Sequence, residues 1–487
     1  MDGKRLLGGI FRLIPLLLVV ACARTGDWKP GPAPTSSPEP VRTLYVARSS
    51  NCGAGSPCYG TLQDAVDAAS DGTLIKVAGG VYTTTGSQVL SINKGVRLVG
   101  GYDVDDWSEP NATERPTVLD AEWAPERRGV YVDGTDVPTI TLAGLRIQRG
   151  DVQGAEGGGI YIAGGSVVLN ENSILSSTAG VSGGGIFISQ GRVSLRHNMI
   201  RANSAPYGGG LYVDGGEVSL ESDILTQNEA ESMGGAIALG GGVLTGTNVS
   251  VVQNPLTEAG VYLCGGHLTG SHWTVADNGA YGAVTHLGIN DDGGSARFQN
   301  SIFAYHGAGL GGANASAHRT LFHEVGVPCR PGASCVSNLF GDPAFVDRSR
   351  GDYHIERSSA AVDQASGLDI RVDMDGEVRP MGAAPDIGAD EVDTTWILYL
   401  PLAMDGSTSD RRLVRRFWLT HPGSEGGLSG SRPRYPLPKA FVFRSPSFTP
   451  LASDPSHTLC HRLRQVPLCA VAVRPWSDPD SRRPARI

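Results

Sequence analysis

Gly157-Gly158-Gly159-Ile160-Tyr161-Ile162 decides the fold, because it returns as Gly183-Gly184-Gly185-Ile186-Phe187-Ile188, Gly208-Gly209-Gly210-Leu211-Tyr212-Val213 and Gly234-Gly235-Ala236-Ile237-Ala238-Leu239. Val261 and Val284 continue the row, and the steps from Ile160 to Val284 are 26, 25, 26, 24 and 23 residues. A second row keeps pace: Asn203, Asn228, Asn254 and Asn278 stand 25, 26 and 24 residues apart. Two markers drifting together are the signature of an internal repeat.

Within a repeat the apolar period is two, as in Leu211-Tyr212-Val213 and Val218-Ser219-Leu220, so the segments read as short strands. No intervening stretch is long enough for a crossover helix, which excludes ordinary βαβ units. About 25 residues with two or three short strands suit one coil of a right-handed parallel β-helix, with successive coils about 4.8 Å apart. Ile160, Ile186, Leu211, Ile237 and Val261 are then expected to stack inward as a continuous apolar column. The four asparagines are expected at a corner, bonding the turn backbone and one another. Glycine excess (67 residues) fits sharp turns repeated at every coil.

At the front of this array, Thr61–Ala69 places Leu62, Ala65, Val66 and Ala69 on one face of a short helix, a cover for the open end of a solenoid. The fold class expected is therefore all-β, a solenoid with an N-terminal capping helix.

Lys4 and Arg5 precede an apolar run, broken by Arg12, that ends Val19-Val20-Ala21-Cys22. This pattern reads as an export signal over residues 1–21 and is too short for a membrane span. Residues 22–42, with five prolines, read as an extended tether. The repeats and their caps occupy 43–393, a short apolar strand 394–404, and an Arg/Pro/Ser-rich tail without repeats, expected to be disordered, 405–487. That tail holds 14 Lys+Arg against 6 Asp+Glu, a balance of +8, so with a total of −9 residues 1–404 carry −17. So acidic a body argues against nucleic acid as partner. Cys52/Cys58, Cys329/Cys335 and Cys460/Cys469 are close pairs that read as small disulfide loops in an exported chain, although reduced thiols satisfy the same spacing.

Several stretches resemble known families. Cys22 with its preceding residues resembles the lipobox of bacterial lipoproteins, which implies a lipidated cysteine and membrane attachment at the cell surface. Leu62 to Tyr82 is similar to the N-terminal cap of pectin-lyase-like β-helix proteins. Asp342-Pro343-Ala344-Phe345, Gly351-Asp352-Tyr353-His354, Asp373-Met374-Asp375-Gly376 with Arg379-Pro380, and Asp386-Ile387-Gly388-Ala389-Asp390-Glu391 together resemble the C-terminal part of choice-of-anchor β-helix surface proteins. The glycine-led blocks resemble polymorphic outer-membrane protein repeats.

Catalytic signatures of the pectin-lyase-like enzymes are wanting. An Arg-x-Pro-x-x-Arg segment is absent from the sequence, and Asp291-Asp292, the nearest match to a paired-carboxylate block, sits in a glycine-rich turn. Asp373-Met374-Asp375-Gly376 starts like a calcium loop but lacks the downstream glutamate spacing, so it reads as a turn of the C-terminal cap. His267, His272 and His286 lack companion ligands at metal spacing, so no metal and no cofactor are expected. Tyr161, Phe187, Tyr212 and Tyr262 alternate with the inward column and are expected on the outer face, either as a platform for sugar rings or stacked upon each other. Asp214, Glu217, Glu221 and Asp223 lie nearby as candidate partners for sugar hydroxyls or as ordinary solvated acids.

The expected function is a monomeric, lipid-anchored surface protein that binds polysaccharide or another cell-envelope component. The competing expectation is a polysaccharide lyase or glycoside hydrolase whose acids come from the loops Asp103–Trp107, Glu122–Arg128 or Asp291–Asp292.

Overall fold

A computed structural model describes residues 41–254, 259–279, 284–286, 294–312, 314–367 and 370–394, together with the backbone of four short strands further on. Residues 1–40, including Cys22, and Asp291-Asp292 lie outside the described residues.

Each coil is built from three strands, and each strand pairs in parallel with its counterpart one coil away. The glycine-led strand is the first: Ile160, Ile186, Leu211, Ile237, Val261 and Val284 pair in unbroken register. A second face runs through Val167, Val193, Val218, Leu244, Leu268 and Ala296. A third runs through Ile174, Ile200, Leu225, Val251, Val275 and Phe303. Apart from Val284, of which only the backbone is described, the inward residues named on the three faces belong to one apolar cluster, with Ile160, Ile186, Leu211, Ile237 and Val261 wholly buried. In the coil that begins at Ile160 the first two strands merge into one, Ile160–Asn170, which bends at Gly165 with φ +89°. Trp273 and Phe298 fill the column where Gly246 and Gly270 vacate space; a Cβ on Gly246 would lie 2.3 Å from the Trp273 ring.

The glycine blocks earn their residues twice. Gly183 has φ +65°, a conformation that suits glycine, and Gly184 passes so close to the next coil that a Cβ would stand 2.3 Å from the Ser204 carbonyl oxygen. Elsewhere the corners use ordinary residues at positive φ, one row running Glu171, His197, Ser222, Asn248 and His272. The other row, Ala202, Gln227, Gln253 and Asp277, immediately precedes the four ladder asparagines.

Those asparagines are buried. Asn203 Nδ2 donates to Asn228 Oδ1 at 3.0 Å, Asn228 Nδ2 to Asn254 Oδ1 at 3.1 Å, and Asn254 Nδ2 to Asn278 Oδ1 at 2.7 Å. Each amide also donates to a carbonyl of the preceding coil, as Asn228 does to Ile200 at 2.8 Å. Buried polar groups must be paired, and the ladder pairs the corner N–H groups along with its own amides. His306 takes the next rung, its Nε2 3.1 Å from the Val275 carbonyl oxygen.

The helix expected at the front spans Leu62–Ala68, with Thr61 as its N-cap accepting the Asp64 N–H at 3.1 Å. Leu62, Ala65 and Val66 seal the first coil, and Lys94 Nζ caps the other end by donating to the carbonyls of Val66, Asp67 and Ala69.

The C-terminal residues depart from expectation. Residues 342–392 do not cap the open end; they fold back as a plate along the flank. Tyr353, Ile355, Ala361, Ala365 and Ile387 pack on the outward side of the third face, against Val252, Ala276, Ile302, Ala304 and Leu321. The small outward residues Ala276 and Ala304 admit this layer. Cross-bonds rivet it: Asn248 Nδ2 to the Val372 carbonyl at 2.8 Å, Ala389 N–H to Thr274 Oγ1 at 3.0 Å, and Gln299 Nε2 to the Ser366 carbonyl at 3.0 Å. The final coil keeps an open edge, where Phe340 is 72% exposed.

Candidate functional site

The plate is held together by the acidic motifs. Arg379 and Glu391 form a fully buried pair at 3.5 Å, and each also bonds backbone: Arg379 donates to the carbonyls of Asp386 and Gly388, while Glu391 accepts the N–H groups of Met381 and Asp386. Asp373 accepts the N–H groups of Asp375 and Glu377 through one oxygen and that of Glu391 through the other. Burial raises the Asp373 carboxyl to about 6 and that of Glu391 to about 7. These groups organise chain, as the turn reading of Asp373–Gly376 expects, but on the flank.

Where the plate meets the corner row there is an open groove of about 730 Å³ lined by Gln227, Gln253, Asp277, Arg348 and Ser349. The left-handed corners throw Gln227, Gln253 and Asp277 outward one coil apart. Arg348 reaches across from the plate and grips Asp277 with both arms, Nε at 2.7 Å and Nη2 at 2.8 Å. The Tyr353 hydroxyl donates to the same carboxylate at 2.6 Å, and Gln253 Nε2 donates to the Arg348 carbonyl at 3.0 Å. The Arg348 guanidinium lies 3.4 Å from the centre of the Tyr305 ring. Its hydrogen bonds to Asp277 raise the guanidinium's pKa, and burial followed by the Asp277 contact raises that of the Tyr353 hydroxyl. The only acid in the groove's lining is thus a fixed hydrogen-bond acceptor, committed to three donors. None of these five residues stands out in the sequence, because the partners are 71 residues apart and meet only when the plate folds back.

The aromatic row behaves differently from a sugar platform. Tyr161, Phe187, Tyr212 and Tyr262 do project outward, yet Phe187, Tyr212 and Tyr262 are 7%, 8% and 3% exposed. The coil repeat brings ring centres to 5.1 Å between Tyr161 and Phe187 and 5.5 Å between Phe187 and Tyr212, face on face. Tyr131 extends the stack and Arg128 covers Tyr161, while Tyr207, Met233 and Cys264 pack alongside. The faces of Tyr161, Phe187 and Tyr212 are spent on one another, and Tyr262 is buried beside Ala238.

Other candidates resolve individually. Asp223 is not on the solvated face but wholly buried. Glu217 and Glu221 pair with Arg192 and Arg196 on the exposed second face. Asp103 lies 3.8 Å from Arg115, Glu122 3.1 Å from Arg127, and Trp107 packs on Tyr45 and Tyr102. His267 is exposed beside Ser295, whereas His272 is buried at a corner, where desolvation lowers it to about 3. Disulfides join Cys52 to Cys58 and Cys329 to Cys335; the side chains of Cys460 and Cys469 lie outside the described residues, although their backbones sit opposite each other in a hairpin. No helix among the described residues is long and apolar enough to cross a membrane.

One family model agrees with this architecture. A family described as "Right handed beta helix region" matches residues 128–318. No curated protein matches the chain. A crystal structure of pectate lyase Pel9A is similar at 15% identity and a TM-score of 0.40, over 72% of this chain and 97% of that one. Stacked parallel strands in three registers, together with the matched region, make this chain a right-handed parallel β-helix solenoid.

Proposed function

We propose that the chain is an exported β-helix, attached to a bacterial surface through Cys22, that holds neutral polysaccharide in the groove between Arg348 and the Gln227–Asp277 corner row. The groove carries this reading. Two amides, a hydroxyl, a carboxylate and a guanidinium face one open cleft of about 730 Å³, a donor and acceptor set suited to sugar hydroxyls. Asp277, held by Arg348 and Tyr353, presents its carboxylate as an oriented acceptor, which suits holding a sugar hydroxyl. Small disulfide loops at Cys52–Cys58 and Cys329–Cys335 suit an oxidising exterior.

The test is a glycan array with the purified chain, followed by incubation with each bound glycan. Retention without new reducing ends or unsaturated products, lost in Gln253→Ala, supports binding. Products from any glycan, abolished by Asp277→Asn, would establish the lyase or hydrolase alternative instead. Attachment is read separately: Cys22→Ala should release the protein from the membrane fraction.

A further inference from the structure

His354, Asp375 and Asp390 come together on the plate from three different segments. One ligand atom of each lies within 4.8 Å of those of the other two. His354 Nε2 is 2.8 Å from Asp375 Oδ2, and its Nδ1 is 2.6 Å from Asp352 Oδ1. Asp390 is only 6% exposed, and its Oδ2 accepts the Ile355 N–H at 2.7 Å.

A carboxylate that is nine-tenths buried and set against a second carboxylate is costly unless a cation sits between them. Without a metal that cation is the imidazolium, and three carboxylates crowd around its single charge. We propose that His354 Nε2, Asp375 and Asp390 bind a divalent transition-metal ion such as Zn²⁺, with Asp352 orienting the imidazole. One nitrogen and two carboxylate oxygens form the mixed set that Zn²⁺ accepts, whereas Ca²⁺ takes six to eight oxygens. The Asp352 contact at Nδ1 is the carboxylate–histidine arrangement that fixes the tautomer and directs Nε2 to a metal. Binding releases the imidazolium proton to solvent and leaves the ligand charges balanced by the ion. Asp373, whose oxygens are committed to three N–H groups, remains outside the ligand set. The ion would tie the strand Asp352–Ile355 to the turn at Asp375 and to the segment ending in Glu391, locking the plate.

The full chain, purified without a histidine tag and dialysed against chelator, is titrated with ZnCl₂ by calorimetry and by thermal melting. One equivalent is expected to bind and to raise the melting temperature. Asp375→Asn, at a half-exposed position where folding is safe, and Asp390→Asn should each weaken binding about ten-fold or more, and Asp352→Asn by a comparable factor. Circular dichroism of the metal-free variants separates lost binding from lost fold. Binding of less than one equivalent to the wild type, or equal affinity in folded Asp375→Asn, overturns the site; saturation by CaCl₂ but not by ZnCl₂ overturns the assigned ion.

Discussion

Asp223 Oδ1 accepts both the backbone N–H and the amide Nδ2 of Asn198, each at 2.8 Å, at the coil below Val249. It ends a second internal ladder that runs from Asn172 through Asn198. An asparagine rung accepts from one neighbour and donates to the next, but the Val249 side chain can accept nothing. An acceptor-only carboxylate suits the last rung, with its other oxygen taking the Glu221 N–H at 3.0 Å.

That terminus makes stability depend on pH. Burial is the main cause that raises the Asp223 carboxyl to about 7, well above its ordinary 3.8. A raised acid contributes stability that is fully present below about 4 and lost as pH climbs through about 7. Asp223→Asn should therefore remove a destabilising slope between about pH 4 and pH 7 and melt higher than wild type at the alkaline end. Urea denaturation across that range checks it; an unchanged slope in the variant refutes it.

His306 works in the opposite sense. Desolvation lowers it from 6.5 to about 4, so the folded state keeps it neutral. Its contribution is present above 6.5 and disappears as pH falls through about 4. Replacing it by the residue of the other rungs, His306→Asn, should flatten the acid limb of the stability profile while leaving the alkaline limb to Asp223.

The glycine blocks yield a steric contrast. Gly184→Ala drives a Cβ to 2.3 Å from the Ser204 carbonyl and should cost more than about 2 kcal/mol, or abolish folding. Gly154→Ala meets nothing within 4 Å and should stay within about 0.5 kcal/mol of wild type. Equal melting temperatures for the two would contradict the coil spacing.

Arg348→Ala should loosen the plate as well as the groove. It strips Asp277 of two hydrogen bonds and uncovers Tyr305. Limited proteolysis is expected to cut first within residues 342–392, with the coils before Asn248 surviving intact.

Much of the solenoid was legible because its determinants are local and repeated: Ile160, Ile186 and Leu211 announce a column, and Asn203 to Asn278 announce a corner. The glycine φ values follow from the same blocks. What escaped reading depends on one-off encounters. The plate's docking on Ala276 and Ala304 is encoded in small residues that look unremarkable in a strand, and Asp223 differs from an ordinary surface acid only because Asn198 points at it. The ring row was placed on the correct side of its strand, but alternation cannot tell an outward ring that meets water from one that meets its neighbour at 5.5 Å.

The riveting of the plate also sets where this molecule can change length. Among the described residues its hydrogen bonds reach no coil before Asn248, whereas the earlier coils bond their neighbours in a register that repeats from Ile160 to Ile237. Duplication or excision of one whole 25- or 26-residue unit in that earlier stretch leaves every remaining interface like the one it replaces. Evolutionary growth and deliberate shortening are thereby channelled to the first half, with the riveted half serving as a fixed anchor block.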